Sequence, residues 1–581
     1  MVKHLCILLF LFTSVSLSWS QNDVPDVTST FAITNANIII KPGQVIKEAT
    51  IVIKDGLIHQ VGKNVSIPID AEIIAGDSMF VYAGFIAAAS HAGIPSKEEK
   101  RQGRPDGVKV SDPPNDVAGI TPQKSIREVV RLTDGSIAAM RKEGFTLSHT
   151  LPKGRMMAGR GSIILLDGKS VDDMIIAEDV SMSGSLKSAP RIYPGTTIGV
   201  LAKWRQLYKQ ADLAKDHEKK YKMAPTGMKR PSFSKEIKSL YQVVSQDIPV
   251  FFSAPKQMDL HRAMQLQQEL GFKMVATDIE QGWKLIPRLK SSGTAVILAM
   301  NLPKGAIKKD KKKDKKKGDK KDKDTDENKK DADKKNETDK KDEEMSEDRK
   351  AQKERIKKSK ADYVAQASAF EKAGIPFAFS LTKVKSSDIK KNLLAMIEAG
   401  LSEDAALAAL TTHPAKILGI SSMAGSLENG KMANLIVTDT SYFKEKANIK
   451  YVFVDGEKHE MEVKKKDKKK SDGDASSDMA GTWNYVVDVP GDSPVEGTLK
   501  LMSSDETYTA EITMDNEDEP LGISEVEVDG SNVSFSFTTT IDGQSMPISM
   551  SIDISDDEFD GTVSIAGGMM TAPITGTKIP N

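Results

Sequence analysis

The chain has 581 residues, enough for two to four domains, and equal numbers of basic and acidic side chains, 82 of each. That balance hides strong local imbalances and excludes a uniformly basic nucleic-acid binder. Its one cysteine, Cys6, lies in an apolar N-terminal run, which excludes disulfides, thiolate metal ligands and a cysteine nucleophile from everything after it.

Residues 1–20 read as an export signal. Lys3 and His4 form a short basic start, Leu5 to Leu17 an apolar run, and Ser18-Trp19-Ser20 a small-x-small cleavage site. The run is too short to span a bilayer, and no other stretch reaches 18 apolar residues, so the expectation is an exported protein, periplasmic or extracellular, without a transmembrane segment. Short strands with turn signals follow: Phe31–Ile33, Asn37–Ile40, Ala49–Ile53, Leu57–Val61 and Ala71–Ile74, with Asp55-Gly56 as a hairpin turn. After the apolar stretch Met79 to Ala83 comes Gly84-Phe85-Ile86-Ala87-Ala88-Ala89-Ser90-His91-Ala92-Gly93.

Strand-like and helix-like runs then alternate, as a parallel barrel requires. The strands are expected at Thr146–Leu151, Ser162–Leu166, Pro249–Ala254, Lys273–Thr277, Ala295–Ala299 and Pro376–Leu381. The helices are expected at Leu260–Leu270, Gly282–Leu289 and Lys390–Ala399. Residues 308–350 carry 19 basic and 16 acidic residues and almost nothing apolar. Such a segment cannot bury enough surface to offset its ordering entropy, so a disordered insertion is expected over 305–345, with helix resuming near Met345. A second basic run, Lys464 to Lys470, sits in a linker over 461–477. Residues 478–581 hold about eight short alternating strands, opened by Gly481-Thr482-Trp483, and 20 acidic residues against Lys500 and Lys578. They predict a small acidic all-β domain, a barrel or a sandwich, loosely lipocalin-like.

The segment from Gly84 to Gly93 resembles the first barrel strand of the amidohydrolase superfamily, P-G-F-I-D-x-H-x-H-x-G. Thr411-Thr412-His413-Pro414-Ala415-Lys416-Ile417-Leu418-Gly419 resembles the family's T-x-N-P-A-K-x-L-G. Gly425 to Val437 resembles G-S-L-x-x-G-K-x-A-D-L-V-V, with Asn434 in place of Asp. The loop with Arg155, Gly159 and Gly161, and Tyr193-Pro194-Gly195, are similar to imidazolonepropionase-like members. The resemblance implies a (β/α)8 barrel over 83–419 and a composite β-sandwich from 30–82 and 420–460. It also implies hydrolysis of carbon–nitrogen bonds other than peptide bonds, with zinc or another divalent metal at the barrel mouth.

The resemblance also places the metal ligands, and here the chain departs from it. Ala89 stands where the family has its first histidine, Ser253 and Thr277 or Asp278 where it has the two middle histidines, and Thr382 where it has its aspartate. Only His91 and Asp278 keep ligating chemistry, and two ligands do not close a tetrahedral site. The chain is therefore expected to hold no catalytic metal and to act as a binding or partner subunit, beside an active paralogue or as a homo-oligomer. The alternatives are a hydrolase with a reduced or atypical metal site, for which His91 is the one metal-ligand candidate, and a surface-binding protein acting through its C-terminal domain. His91 also reads as a hydrogen-bonded barrel histidine, and Asp278 as a helix N-cap. His149, Arg155 and Arg160 are further mouth candidates, with Lys153 and the two arginines as an anion loop; packing and solvation are the plainer readings of all four. Asp515 to Glu519 is a charged turn without the spacing of a calcium loop. The lysine runs are interleaved with aspartates, so no nucleic-acid partner is expected.

Overall fold

The computed structural model describes residues 29–95, 108–232, 234–303, 305–306 and 347–461, and 479–579 except for short turn segments. The export signal, the charged insertion up to residue 346, the basic linker and the acidic turn 515–519 lie outside the described residues. The chain divides into two compact units, Met1–Val463 and Lys464–Asn581.

The first unit begins with five strands: β1 (Phe31–Lys41), β2 (Gln44–Lys54), β3 (Leu57–Gly62), β4 (Glu72–Ala75) and β5 (Phe80–Ala83). Eight more close into a barrel: β6 (Phe85–Ser90), β7 (Phe145–Thr150), β8 (Gly159–Leu165), β9 (Ile175–Ser185), β10 (Val250–Ser253), β11 (Met274–Ile279), β12 (Ala295–Ala299) and β13 (Phe377–Ser380). Then β14 (Leu435–Thr438), β15 (Ile449–Val454) and β16 (Glu457–Glu460) rejoin the first five strands in one eight-stranded sheet. The join is the antiparallel pairing of β14 with β5, Leu435 opposite Ala83 and Val437 opposite Val81. Side chains alternate across these strands. Val81, Ala83, Leu435 and Val437 face the sheet's own core with Phe31, Ile33, Ile51 and Phe453. Tyr82 and Ile436 face the barrel's core.

The barrel differs from the expected (β/α)8 pattern in one strand. β8 is antiparallel to both β7 and β9, whereas every other adjacent pair is parallel. The reason is chain length. The links 151–158 and 166–174 are too short for the dozen or more residues that a parallel crossover needs, so the chain turns back on itself. β9 was not expected at all. Its sequence IIAEDVSMSGS lacks a clean two-residue alternation, and most of it is only half-buried. Outside the strands, helices Thr197–Met223 and Gln257–Leu270 cover β9–β11, with Trp204 packed on Phe252 and Phe272. Helix Glu347–Val364 resumes the chain after the charged insertion. No helix among the described residues is long and apolar enough to cross a membrane.

The second unit is a closed barrel of eight strands, each antiparallel to the next and the last paired with the first: β17 (Gly481–Val487), β18 (Val495–Ser504), β19 (Thr507–Met514), β20 (Leu521–Asp529), β21 (Asn532–Ile541), β22 (Gln544–Ser555), β23 (Glu558–Ile565) and β24 (Met570–Lys578). Closure removes both sheet edges. Trp483, Tyr485, Leu499, Ile512, Phe535 and Phe559 fill its interior.

Candidate functional site

The first barrel is layered. Phe251, Val275, Ile297 and Ala378 form an apolar filling with Ala88, Ala89 and Leu151. Two residues further along the same strands stand Ser253, Thr277, Ala299 and Ser380. Register aligns Ser253 with Thr277, Ala299 with Ser380, and Ser380 with Ala89. Residues two apart in a strand share a face, so this second layer also points inward. Every member of it is small, and three carry hydroxyls.

Asp278 stands at this level. Its backbone is left-handed, φ 57°, which breaks the alternation of β11 at the mouth. Its carboxylate accepts three hydroxyl protons: from Ser253 at 2.5 Å on one oxygen, and from Ser380 at 2.5 Å and Thr382 at 2.7 Å on the other. These are the lengths of charge-assisted O–H···O⁻ bonds. The N-cap reading of Asp278 is thereby corrected: helical backbone begins only at Trp283, and the side chain turns into the barrel instead. Ser253, Asp278 and Thr382, read from the sequence as separate ligand positions, meet one another. Ser380 joins them unforeseen. Its signal was the inward alternation Ala378, Ser380, Thr382 in β13 and just beyond it.

Ala89 is fully buried in the apolar layer and has only a methyl group to offer. His91 lies past the end of β6, where its Nδ1–H donates to the Leu151 carbonyl at 2.7 Å and leaves Nε2 as an acceptor. Burial holds its pKa below the ordinary histidine value, against the Leu151 bond and the charge of Asp278. His91 and Thr382 line a cavity of about 320 Å³ that also includes Lys153, Asp134 and the apolar side chains of Ile94 and Leu381.

The remaining mouth candidates separate. His149 is fully buried, its ring 4.2 Å from that of Phe251, with Nδ1 on the Ala88 carbonyl at 3.0 Å and Nε2 on Ser181 at 2.7 Å. It is an interior residue and does not reach the mouth; desolvation lowers its pKa to about 4. Arg160 pairs with Asp179 at 3.2 Å and donates to the Ser239 carbonyl, which takes it away from the mouth. Arg155 donates to the Ser188 carbonyl and Lys153 to that of Ile94. All four candidates are thus engaged in packing or backbone contacts, and of the four only Lys153 lines the cavity.

The donor set does not fit a catalytic divalent metal. Three neutral hydroxyls direct their protons to the one carboxylate, a single imidazole remains, and a zinc site of this kind needs three protein ligands and a water. Among the described residues no group of three or more histidines, cysteines or acids converges as a metal site would require.

Residues 348–458 match a family model described as the Amidohydrolase family. Among solved structures the chain is similar to an amidohydrolase from Thermotoga maritima MSB8, at 19% identity over 74% of this chain and 100% of that one, with a TM-score of 0.57. It also aligns with a Xaa-Pro dipeptidase with methionine bound in its active site, at 16% identity over 74% of this chain and 100% of that one, with a TM-score of 0.40. A β-aspartyl dipeptidase from Fervidobacterium islandicum AW-1 aligns at 12% identity over 75% and 98%, with a TM-score of 0.39. No curated protein sequence matches the chain. The first likeness concerns the fold.

Proposed function

We propose, from the premise that this chain belongs to the amidohydrolase superfamily, that it is an exported, metal-free binding or partner protein built on a hydrolase fold. Membership supports a hydrolase-type ancestry and function in the broad sense. The finer reading rests on one observation: the Asp278 carboxylate is taken up by Ser253, Ser380 and Thr382, two of which occupy positions the family gives to metal ligands. A metal at this point would have to displace those hydroxyl protons and would gain only weak neutral ligands in return. Without a metal to lower the pKa of a water or polarise a carbonyl, the family's hydrolysis has no driving group. What the residues retain is a recessed acidic site beside a cavity, which binds and orients. Its partner in the cell is an active paralogue or a second copy of this chain.

Elemental analysis of the purified chain, together with an assay of amide and lactam hydrolysis, tests this. The expected result is far less than one equivalent of zinc, iron or manganese and no turnover. A stoichiometric metal, lost with activity in His91→Ala, would overturn it. In the converse experiment, Ala89→His, Ser253→His and Thr382→Asp together, with Thr277 and Asp278 changed to histidine in turn, should create metal binding.

A further inference from the structure

The mouth is one-sided in its hydrogen bonding. A hydroxyl has one proton and two lone pairs. Ser253, Ser380 and Thr382 direct their protons to Asp278. His91 directs its Nδ1 proton to Leu151. Toward an incoming ligand these groups offer lone pairs. Thr277 stands beside them with a hydroxyl that can accept or donate: its Oγ1 is buried with no partner, and the residue is 1% exposed, in the inward layer directly beside Ser253. Asp278 itself is 7% exposed and makes no ion pair among the described residues. The nearby Lys383 is held by Glu280 at 2.8 Å.

Lys153, which lines the cavity, donates to the Ile94 carbonyl. A recessed negative charge faced mostly by lone pairs favours a ligand that is cationic and rich in donors. An –NH3⁺ group has three donors and no acceptor. We infer that the mouth binds the primary ammonium group of a small amine, with its carbon chain in the adjacent cavity against Ile94, Met140, Leu381 and Val384. The ammonium restores the charge balance that the protein leaves open at Asp278, and it supplies the donor that Thr277 lacks. The inference rests on the reading of the mouth as a metal-free binding site.

Calorimetric titration of the full chain with n-butylammonium tests it, with n-butanol, tetramethylammonium and potassium as controls for chain, charge and a bare cation. Saturable binding of butylammonium, with none of the three controls matching it, is the expected result. Asp278→Asn should lose roughly thirtyfold or more in affinity, as a buried charge pair does when one partner is removed. Thr277→Val should weaken binding while leaving the carboxylate in place. If Asp278→Asn fails to fold, Thr277→Val and Thr382→Val carry the decision. Equal response to tetramethylammonium or potassium, or wild-type affinity in these variants, overturns the ammonium assignment. Elemental analysis of the same sample separates the two failures: a metal-loaded protein sinks the metal-free reading, whereas a metal-free protein indifferent to butylammonium sinks the ligand class alone.

Discussion

The chain closes eight strands into a barrel twice and fills the two interiors in opposite ways. In the first barrel Phe251 is part of the inner filling, but the bulkiest side chain, Trp204, lies outside the strands. Trp204 is wedged between its helix and Phe252 and Phe272, while the inward positions near the mouth are Ser253, Thr277, Ala299 and Ser380. In the second barrel Trp483, with Phe559 at 5.6 Å, lies inside. The difference follows from what covers the strands. A helical layer gives bulky residues a second core, so the barrel's interior can stay small enough at one end to leave a recess. A barrel without helices has one core only and must fill it. The recess beside Asp278 belongs to the helix-covered barrel.

The sharpest test of this contrast exchanges each tryptophan for alanine. Trp204→Ala and Trp483→Ala should each cost about 3–5 kcal/mol. Calorimetry of the full chain should show the loss in the helix-covered unit for the first and in the C-terminal barrel for the second. Equal damage to both units from either change would break the comparison.

Next in size is an acid dependence specific to the first barrel. Burial lowers the His149 pKa from 6.5 to about 4. Between those values the unfolded chain binds the extra proton, so the stability that neutral His149 provides is complete above pH 6.5 and is lost as pH falls through about 4. The expected loss is on the order of 3 kcal/mol, and His149→Gln should flatten it. Glu143 acts with the opposite sign. Burial raises its pKa from 4.5 to about 6, so its contribution is complete below pH 4.5 and is lost as pH rises through about 6. Melting curves of His149→Gln and Glu143→Gln against pH separate them. A His149→Gln variant as acid-sensitive as the parent would contradict the interior placement.

Smaller again are the mouth hydroxyls. Ser380→Ala, at a site 2% exposed, should cost about 1.5–3 kcal/mol, since it removes a bond to a charged group. Ser253→Ala, on the more open side, should cost less, and chemical denaturation of the two variants ranks them. The smallest effect belongs to the outer wall of the second barrel. Breaking the Lys500–Glu511 pair, 3.3 Å apart across β18 and β19, should cost less than about 1 kcal/mol and nothing at high salt.

Much of this architecture was legible in the chain. Strands β10 to β13 and the C-terminal strands announce themselves through apolar runs or two-residue alternation, because burial on one or both faces of a strand leaves that mark. The reversal of β8 was not legible, since direction depends on the length of links whose boundaries were unknown, and β9 carries too little apolar signal. At the site, Ser253, Asp278 and Thr382 could be singled out one at a time from their places in the family's motifs. Their convergence could not be, because it arises from barrel closure and from the left-handed turn at Asp278, which bring together residues from three strand ends. Thr277 is silent for a related reason: an unpartnered hydroxyl is a property of its surroundings.

The pairing of β5 with β14 has a consequence for how the molecule comes into being. During synthesis β5 can add to β1 at once, but its other edge stays open until residues 435–438 have been made, after the whole barrel and the lysine-rich insertion. An open edge of Phe80-Val81-Tyr82-Ala83 is a template for the wrong strand throughout that interval. The nascent chain is therefore exposed to mispairing for most of its own translation, and the final stitch that ends the exposure lies near the end of the first unit.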